Sequence, residues 1–367
     1  MTPWRALGID HQPLDVDQTG IFVSASPALR YEEIPASRLT RLLSDIPAHG
    51  LREALRRHLG SDDLISEDYL FSRSRARFLE RVPDSAAPDS RALEIGSGYG
   101  PIVRIMAQRY AEVVAIEASY ERLRLSQLWH EEERLANIRY VRAGIGEIDL
   151  GKSQFDLVVM NGSLEWIPYE FPERPPRQTQ LDALRRIHLA LRPGGILYLG
   201  IENRFSLFAL AAHPDPHTGI PFHSVVPRKV ADLLARMLVR PPPTVPRVDR
   251  HRKYLNYTYS YGGYRRLLRN AGFGEIAAAV PWPSYNRPEQ ILTGARELVA
   301  AYRQHPLYRL AAWTGGIYPA ALWSMAPGYG IYARREPDRA SASRTAAALS
   351  GSVSTSASDK RKSTAQL

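Results

Sequence analysis

The chain predicts an α/β fold built on a mostly parallel sheet, and three observations carry that prediction. The run Ala92-Leu-Glu-Ile-Gly-Ser-Gly-Tyr-Gly100 takes an apolar segment into three alternating glycines, which reads as a buried strand ending in a tight turn. Pro101 follows, and Ile102, Ile105, Met106 and Arg109 fall at helical spacing, so a helix starts where proline suits the first position. From there to residue 201 apolar strands alternate with helical segments, the pattern of parallel strands joined by crossover helices. Strand, glycine loop and helix together let a backbone approach a nucleotide closely, because no Cβ intervenes and the helix N-terminus offers free N–H groups.

Taken in order, the strands fall at 91–96, 112–117, 138–143, 155–160 and 195–201, and the helices at 101–110, 119–135 and 178–191. The second strand, Val113-Val-Ala-Ile116, ends in Glu117, where a carboxylate suits ribose hydroxyls. Ser119 is a plausible cap for the following helix, and Glu131-Glu-Glu-Arg134 reads as solvent-exposed. Upstream, residues 1–40 are irregular, with prolines at 3, 13, 27 and 35. Residues 38–58 read as helix broken at Pro47, and 62–80 as a second helical region. Its arginines at 73, 75, 77 and 81 either face a phosphate or form a solvated face, the second being preferred. Residues 1–85 form an N-terminal helical cap and 83–89 the linker into the core.

The segments Leu-Glu-Ile-Gly-Ser-Gly-Tyr-Gly (93–100), Glu117, Phe-Asp-Leu-Val-Val (155–159) and Leu-Arg-Pro-Gly-Gly (191–195) resemble, in order and spacing, the class I S-adenosylmethionine (SAM)-dependent methyltransferases over residues 90–201. A glycine loop alone is shared with NAD sites; the Arg-Pro-Gly-Gly turn and the Phe-Asp-Leu-Val-Val strand favour methyl over hydride transfer. The resemblance implies a Rossmann-like class I methyltransferase fold: a mostly parallel seven-stranded sheet with helices on both faces, the helical cap, and insertions after strands 5 and 6. It implies a last helix at 261–273, a sixth strand at 274–280 and an antiparallel seventh at 329–335. The methyltransferase domain is then 86–336, with insertions at about 202–256 and 284–326.

The resemblance also implies the cofactor, S-adenosyl-L-methionine, and its contacts. Gly96, Ser97, Gly98 and Gly100 would surround the methionine part. Glu94 would organise that loop or reach the amino group through water, and Glu117 would hold the ribose. The position where the family usually places an acid against the adenine amine is Gly144, so backbone groups or Glu147 must serve. Asn161 ends the fourth strand beside the methyl position. Asn161-Gly-Ser-Leu164 departs from the Asn-Pro-Pro-Tyr typical of nucleic-acid amino methylation, and the Leu164-Glu165 pair resembles the Leu-Glu-His of small-molecule methyltransferases, with Trp166 in the histidine's place as an apolar wall. Such additions as the cap often cover the substrate pocket.

Direct in-line transfer to a small-molecule or glycan acceptor, at a hydroxyl, is the resulting reading; positioning and desolvation supply most of the help, and a base is useful only where the acceptor must lose a proton. Glu202 is a base candidate and Arg204 an anchor for an anionic substrate, against a local salt bridge closing the loop. The stretch 213–223 carries three histidines and an aspartate. It reads as a lid contributing His217 or His223 as acid or base, or as a merely structural loop; no metal is expected. The aromatic run Tyr254, Tyr257, Tyr259, Tyr261 and Tyr264 either stacks on a sugar or ring, or packs with strand-like alternation. Alternatives are an RNA methyltransferase, which the net charge of +10 supports, and a catalytically inactive SAM-fold scaffold.

The absence of cysteine excludes disulfides, cysteine-based zinc sites and a cysteine nucleophile. No basic patch precedes an apolar run at the N-terminus, so no secretory signal is read there; a cytoplasmic location fits. No obligate protein partner is evident, and nucleic acid is disfavoured as a partner. Residues 310–333 carry no charge, but Pro319 and Pro327 argue against a membrane span; a buried segment is preferred, with a peripheral membrane contact through Trp313, Tyr318 and Trp323 as the alternative. Residues 337–367, rich in Ser, Ala, Thr and Lys, read as a disordered tail.

Overall fold

In the computed structural model, which describes residues 3–24, 34–59, 67–83, 87–215, 217–238, 255–314 and 319–337, strands and helices alternate through the centre of the chain. Three two-residue strands come first: β1 (Leu7–Gly8), β2 (Asp15–Val16) and β3 (Phe22–Val23). Helices α1 (Ala36–His49), α2 (Leu51–His58) and α3 (Glu67–Phe71) follow, then a 3-10 turn over Ser74–Arg81. The core runs β4 (Arg91–Ile95), α4 (Pro101–Ala107), β5 (Glu112–Glu117), α5 (Tyr120–Glu132), β6 (Ile138–Arg142), β7 (Ile148–Asp149), β8 (Phe155–Asn161), α6 (Pro176–Ala190) and β9 (Leu191–Glu202). Beyond it lie α7 (Leu207–Leu210), α8 (Arg228–Leu238), α9 (Tyr261–Asn270), β10 (Glu275–Trp282), β11 (Gln290–Leu292), α10 (Ala295–Gln304), α11 (Pro306–Thr314), α12 (Pro319–Ser324) and β12 (Gly328–Arg334).

The main sheet has the order β11-β10-β12-β9-β8-β4-β5-β6-β3-β2. Strands β9, β8, β4, β5 and β6 pair in parallel, and β12 inserts antiparallel between β9 and β10. The expectation of seven strands is therefore corrected to ten among the described residues. The additions are edge strands of two or three residues, too short to leave a periodic signal in the sequence. β2 and β3 also mean that the cap is not purely helical. The chain leaves β4 in one direction through β5 and β6, and returns to β4's other side for β8 and β9. The order reverses between β4 and β8, where the carboxyl ends of an open parallel sheet leave a crevice for a ligand.

β4 and β5 are buried along their whole length, as expected of central parallel strands covered on both faces. Helix α4 begins as predicted, with Pro101 at its start and Gly100 left-handed at φ 83°. Two local expectations change. The break in the first helical region is at Gly50, φ 76°, whose N–H returns to the Ile46 carbonyl; Pro47 lies inside the last turn of α1, which continues past it to His49. Ser119 occupies the cap position of α5, but its hydroxyl donates to Glu121. The acidic end of α5 is also not merely solvated: Glu132 accepts the Leu51 N–H at the start of α2, and Glu133 pairs with Arg104 at 2.5 Å.

Those contacts dock the cap. Leu39, Leu42, Ile46, Leu51 and Leu55 pack with Leu125 and Trp129 of α5 and with Tyr99 of the glycine loop, so the cap rests on the loop itself. Burying five such aliphatic side chains stabilises the contact by roughly 1.5–3 kcal/mol each before ordering costs. At the other end, Tyr308, Ala312, Leu322 and Ala326 are buried in the core, which places the uncharged segment against α10 rather than apart from the domain. Tyr318 and residues 338–367 lie outside the described residues, as does the side chain of Trp313 in α11. No helix among the described residues is long and apolar enough to cross a membrane.

Candidate functional site

The loop after β4 turns on three glycines, with φ 74° at Gly96, 56° at Gly98 and 83° at Gly100, all in the region that side chains resist. Their surroundings differ. A Cβ on Gly96 would lie 2.7 Å from Ser163 Cβ, and one on Gly100 would lie 2.0 Å from Ser126 Oγ and 2.7 Å from His130 Cε1. A Cβ on Gly98 would meet nothing within 4 Å. Two glycines thus let the loop nest against its neighbours, and the third faces open space at the switch point.

Glu117 holds this loop. Its carboxylate accepts the Gly98 N–H at 2.8 Å and the Ser119 N–H at 2.9 Å, and the Gly96 and Ser97 N–H groups go to the Ile116 carbonyl. The organising task expected of Glu94 is therefore carried by Glu117, with lone pairs left for ribose hydroxyls. Glu94 lies wholly buried in β4. It takes the Val103 N–H, and burial, with Arg75 lowering and Glu117 raising, pushes its carboxyl up to about 8. Its Oε2, the Ser97 hydroxyl and both amide atoms of Asn161 are buried without a hydrogen-bond partner. Four orphaned polar atoms on β4, on the loop after it and at the end of the adjacent β8, together with the open side of Gly98, fit a polar ligand such as SAM, since unpaired buried polar groups cost free energy until a ligand meets them.

Gly144 follows β6, and a Cβ there would lie 2.6 Å from Glu170 Oε2. Glu147 spends an oxygen on the Gly144 N–H at 2.9 Å, so it caps its own turn. Glu170 accepts the Ile145 and Gly146 N–H groups at 3.3 and 3.0 Å, and burial pushes its carboxyl up to about 7. An acid does stand beside Gly144, but it comes from residue 170, after β8, and no local spacing pointed to it.

The carboxyl edge of β8 and β9 gathers a second acidic cluster. Glu202 ends β9 and pairs with His217 Nε2 at 3.0 Å. The carboxylate raises the imidazole to about 9 against the opposing effect of burial, and the same pairing, with a Tyr285 hydrogen bond, holds Glu202 low despite burial. Trp166 stands edge-on to His217 at 5.1 Å, as an apolar wall. Glu165 is fully buried with both oxygens unpartnered, and burial, then Glu202, push it to about 8. The Tyr285 ring closes over Gly162, where a Cβ would lie 3.0 Å from its Cε2. Tyr285 and the orphaned amide of buried Asn256 are members that the sequence did not reveal: both sit in insertions without periodicity.

Three expected substrate or catalytic residues are placed elsewhere. The guanidinium of Arg204 donates to the Ser224 and Val226 carbonyls, each at 2.6 Å; it staples the 220s loop and is not an anion anchor. His223 is buried with Nε2 on the Ala231 carbonyl at 2.9 Å, a support for α8 away from the Glu202 pair. Tyr257 lies under Arg228 at 4.3 Å, and its backbone joins Gln180 and Glu165. The other tyrosines pack rather than line a groove: Tyr259 donates to Gln180 and Tyr264 to the Glu202 carbonyl, and Tyr261 already belongs to α9, so no strand alternation runs through them. Tyr254 lies outside the described residues.

Residues 93–199 match the methyltransferase domain family. Among curated proteins the chain is 31% identical over 125 residues to a malonyl-[acyl-carrier protein] O-methyltransferase of Enterobacter lignolyticus, spanning 34% of this chain and 43% of that protein. It is 25% identical over 115 residues to a ubiquinone biosynthesis O-methyltransferase of Acinetobacter baylyi, spanning 31% and 44%. The chain thus spans less than half the length of these relatives. Among solved structures, a Haemonchus contortus phosphoethanolamine N-methyltransferase in complex with SAM is similar at a TM-score of 0.42 and 14% identity, over 81% of this chain and 60% of that one. The matched span begins in β4 and ends in β9, enclosing the glycine loop, Glu117, Gly144 and Asn161, and over residues 93–199 the chain matches a methyltransferase domain.

Proposed function

We propose that the chain transfers a methyl group from SAM to an oxygen atom of a small-molecule acceptor. The observation that carries this reading is Gly98, a left-handed residue whose side-chain direction is open, in a loop at the carboxyl ends of β4 and β8 where Glu94, Ser97 and Asn161 keep buried polar atoms without partners. SAM, when bound, supplies an electrophilic methyl on a sulfonium. Gly96, Ser97, Gly98 and Gly100 would hold its methionine part and Glu117 its ribose, and Glu170, beside Gly144, is the acid that would serve an adenine amine. Glu94 and Glu165 lie where a cationic ligand would favour their ionised forms.

On the acceptor side, Glu202 accepts the proton or hydrogen bond of the reacting oxygen, and His217 and Tyr285 fix its orientation. A carboxylate held low is a weak base. The pair therefore suits an acceptor oxygen that ionises readily, and Trp166 walls the site from water. Two relatives are named O-methyltransferases, which supports oxygen as the acceptor atom. Calorimetric titration with SAM and its demethylated product, on the wild type and Gly98→Arg, tests the cofactor site. Transfer of label from methyl-labelled SAM to a panel of phenols, carboxylic acids and glycans then tests the acceptor. A folded wild type that binds neither compound overturns the reading.

A further inference from the structure

We infer that the insertion after β9 carries an interfacial face, built on helix α8, that docks on an anionic lipid surface. The inference does not depend on the methyltransferase reading. Ten large apolar side chains are exposed among the described residues; four lie on α8, and three, Phe205, Leu210 and Phe222, lie in the stretch before it. Single exposed apolar residues are ordinary, but their concentration in one insertion marks an interaction surface.

Helix α8 reads Arg-Lys-Val-Ala-Asp-Leu-Leu-Ala-Arg-Met-Leu. Val230, Leu233, Leu234, Met237 and Leu238 fall at i, i+3, i+4, i+7 and i+8, a single apolar stripe of the kind that ordinarily faces a core. Here the helix meets the body on its small side: Ala231 is fully buried, and His223 Nε2 lies 2.9 Å from its carbonyl oxygen. Leu233, Met237 and Leu238 are 55%, 71% and 57% exposed. Lys229 is exposed as well. An apolar stripe bordered by a cation, on a helix of 11 residues, suits a helix that lies in a bilayer interface and does not span it. The turn before α8 extends the face. The Phe222 carbonyl accepts the Val226 N–H at 3.2 Å, and Arg204 ties its own neighbour Phe205 to that turn through the Ser224 and Val226 carbonyls. The same insertion holds His217, the partner of Glu202, so the interfacial face and the reacting edge are parts of one segment.

Charge and composition select the occupant. The chain carries a net charge of +10, which opposes pairing with a second copy of itself. The long stretches outside the described residues, 239–254 and 338–367, hold two leucines, four valines and one tyrosine, with no Ile, Met, Phe or Trp. The chain thus has little of its own to lay over the stripe. In the sequence, positions 239–253 carry five arginines and lysines against one aspartate. An anionic lipid surface attracts polybasic sequence and admits apolar side chains in the same layer. The contact considered through Trp313, Tyr318 and Trp323 is a different surface, and Trp323 packs against the core.

The test sediments the full chain with vesicles of phosphatidylcholine alone and of phosphatidylcholine mixed with phosphatidylglycerol. The mixed vesicles should carry the protein down, the neutral ones far less, and raising salt from about 0.1 M to about 1 M should weaken the binding. Leu233→Glu and Met237→Glu, both at exposed positions, should each weaken it by about tenfold or more. Leu189→Glu makes the same charge change at a 50% exposed position on α6 and should leave it nearly unchanged. No binding by the wild type, binding indifferent to Leu233→Glu and Met237→Glu, or an equal loss in Leu189→Glu overturns the inference. A wild-type dimer in sedimentation equilibrium that Leu233→Glu returns to monomer also overturns it, since the face then belongs to a second copy. Cofactor titration of the same proteins reads the methyltransferase assignment separately: a wild type that binds vesicles but no cofactor sinks that assignment and leaves the lipid face standing.

Discussion

Gly98→Arg and Gly100→Ala separate space for a ligand from space for the fold within a single loop. Both residues have positive φ, 56° and 83°, so any side chain costs roughly 1 kcal/mol or somewhat more for the left-handed backbone. Beyond that cost the two diverge. At Gly98 nothing lies within 4 Å of the new Cβ, and the arginine extends into the crevice. At Gly100 the Cβ arrives 2.0 Å from Ser126 Oγ. It also displaces a buried His130 ring whose Nδ1 meets the Tyr140 hydroxyl at 2.9 Å and whose Nε2 meets the Gly100 carbonyl at 3.1 Å. Overpacking of that kind adds about 1–3 kcal/mol. Urea unfolding should therefore show Gly98→Arg down by about 1 kcal/mol and Gly100→Ala down by roughly 2–4 kcal/mol. Calorimetry should show cofactor binding abolished in Gly98→Arg. Equal destabilisation by the two substitutions, or wild-type cofactor affinity in Gly98→Arg, would refute the assignment of open space above Gly98 to a ligand.

Stability should fall on the alkaline side. Glu94 and Glu165 are raised from 4.5 to about 8, so the folded state holds their protons more tightly. Their contribution is complete below pH 4.5 and is lost as pH rises through about 8, with an upper limit of about 5 kcal/mol per carboxyl. His217, raised to about 9, acts in the same direction, and its contribution is lost above pH 6.5 as pH rises through 9. Glu165→Gln removes one carboxyl from this set, so the gap between urea midpoints at pH 6 and pH 9 should shrink; an unchanged gap counts against a buried, unpaired Glu165. Glu202→Gln should lower kcat for an oxygen acceptor by about 10²-fold or more and leave cofactor affinity within twofold, read by single-turnover kinetics and calorimetry. Arg204→Ala should lower stability by about 1–3 kcal/mol through the carbonyls of Ser224 and Val226 with little change in KM; a large KM effect would restore Arg204 as a substrate anchor.

The parts legible in the sequence share one property: their signal is local. Leu93 and Ile95 running into Gly96, Gly98 and Gly100, with Pro101 next, state strand, turn and helix within ten positions, and the structure places β4 and α4 there. The same holds for Glu117 at the end of β5, whereas the antiparallel β12 follows from the family resemblance and not from a local signal. The edge strands β2, β3 and β11 escaped because two or three residues carry no period. Glu170 escaped for a different reason. Its carboxylate reaches Gly146 across 24 positions, and nothing in either segment announces the other. The sequence left two readings of Arg204 open, anion anchor and loop closure, since an arginine at a sheet edge serves equally to bind an anion or to tie down carbonyls, and its carbonyl partners favour loop closure.

The distribution of orphaned polar atoms orders the remaining ambiguity. Around the glycine loop and at the head of β8 and β9, Glu94, Ser97, Asn161, Glu165 and Asn256 are buried with unmet hydrogen-bonding capacity, whereas the arginines and histidines of the 202–223 stretch are largely satisfied by backbone or by each other. Burial without partners is tolerated in a fold only where something else meets the group or where strain is part of the work. The stapled loop is therefore scaffold. On the proposed reading the unmet groups, which the sequence offered mostly as ordinary strand and turn residues, are where cofactor and acceptor would meet. The Glu202–His217 pair lies at the boundary between the two sets: satisfied as an ion pair, yet 26% and 12% exposed at its side chains, it is the member of the scaffold that still reaches the reacting edge.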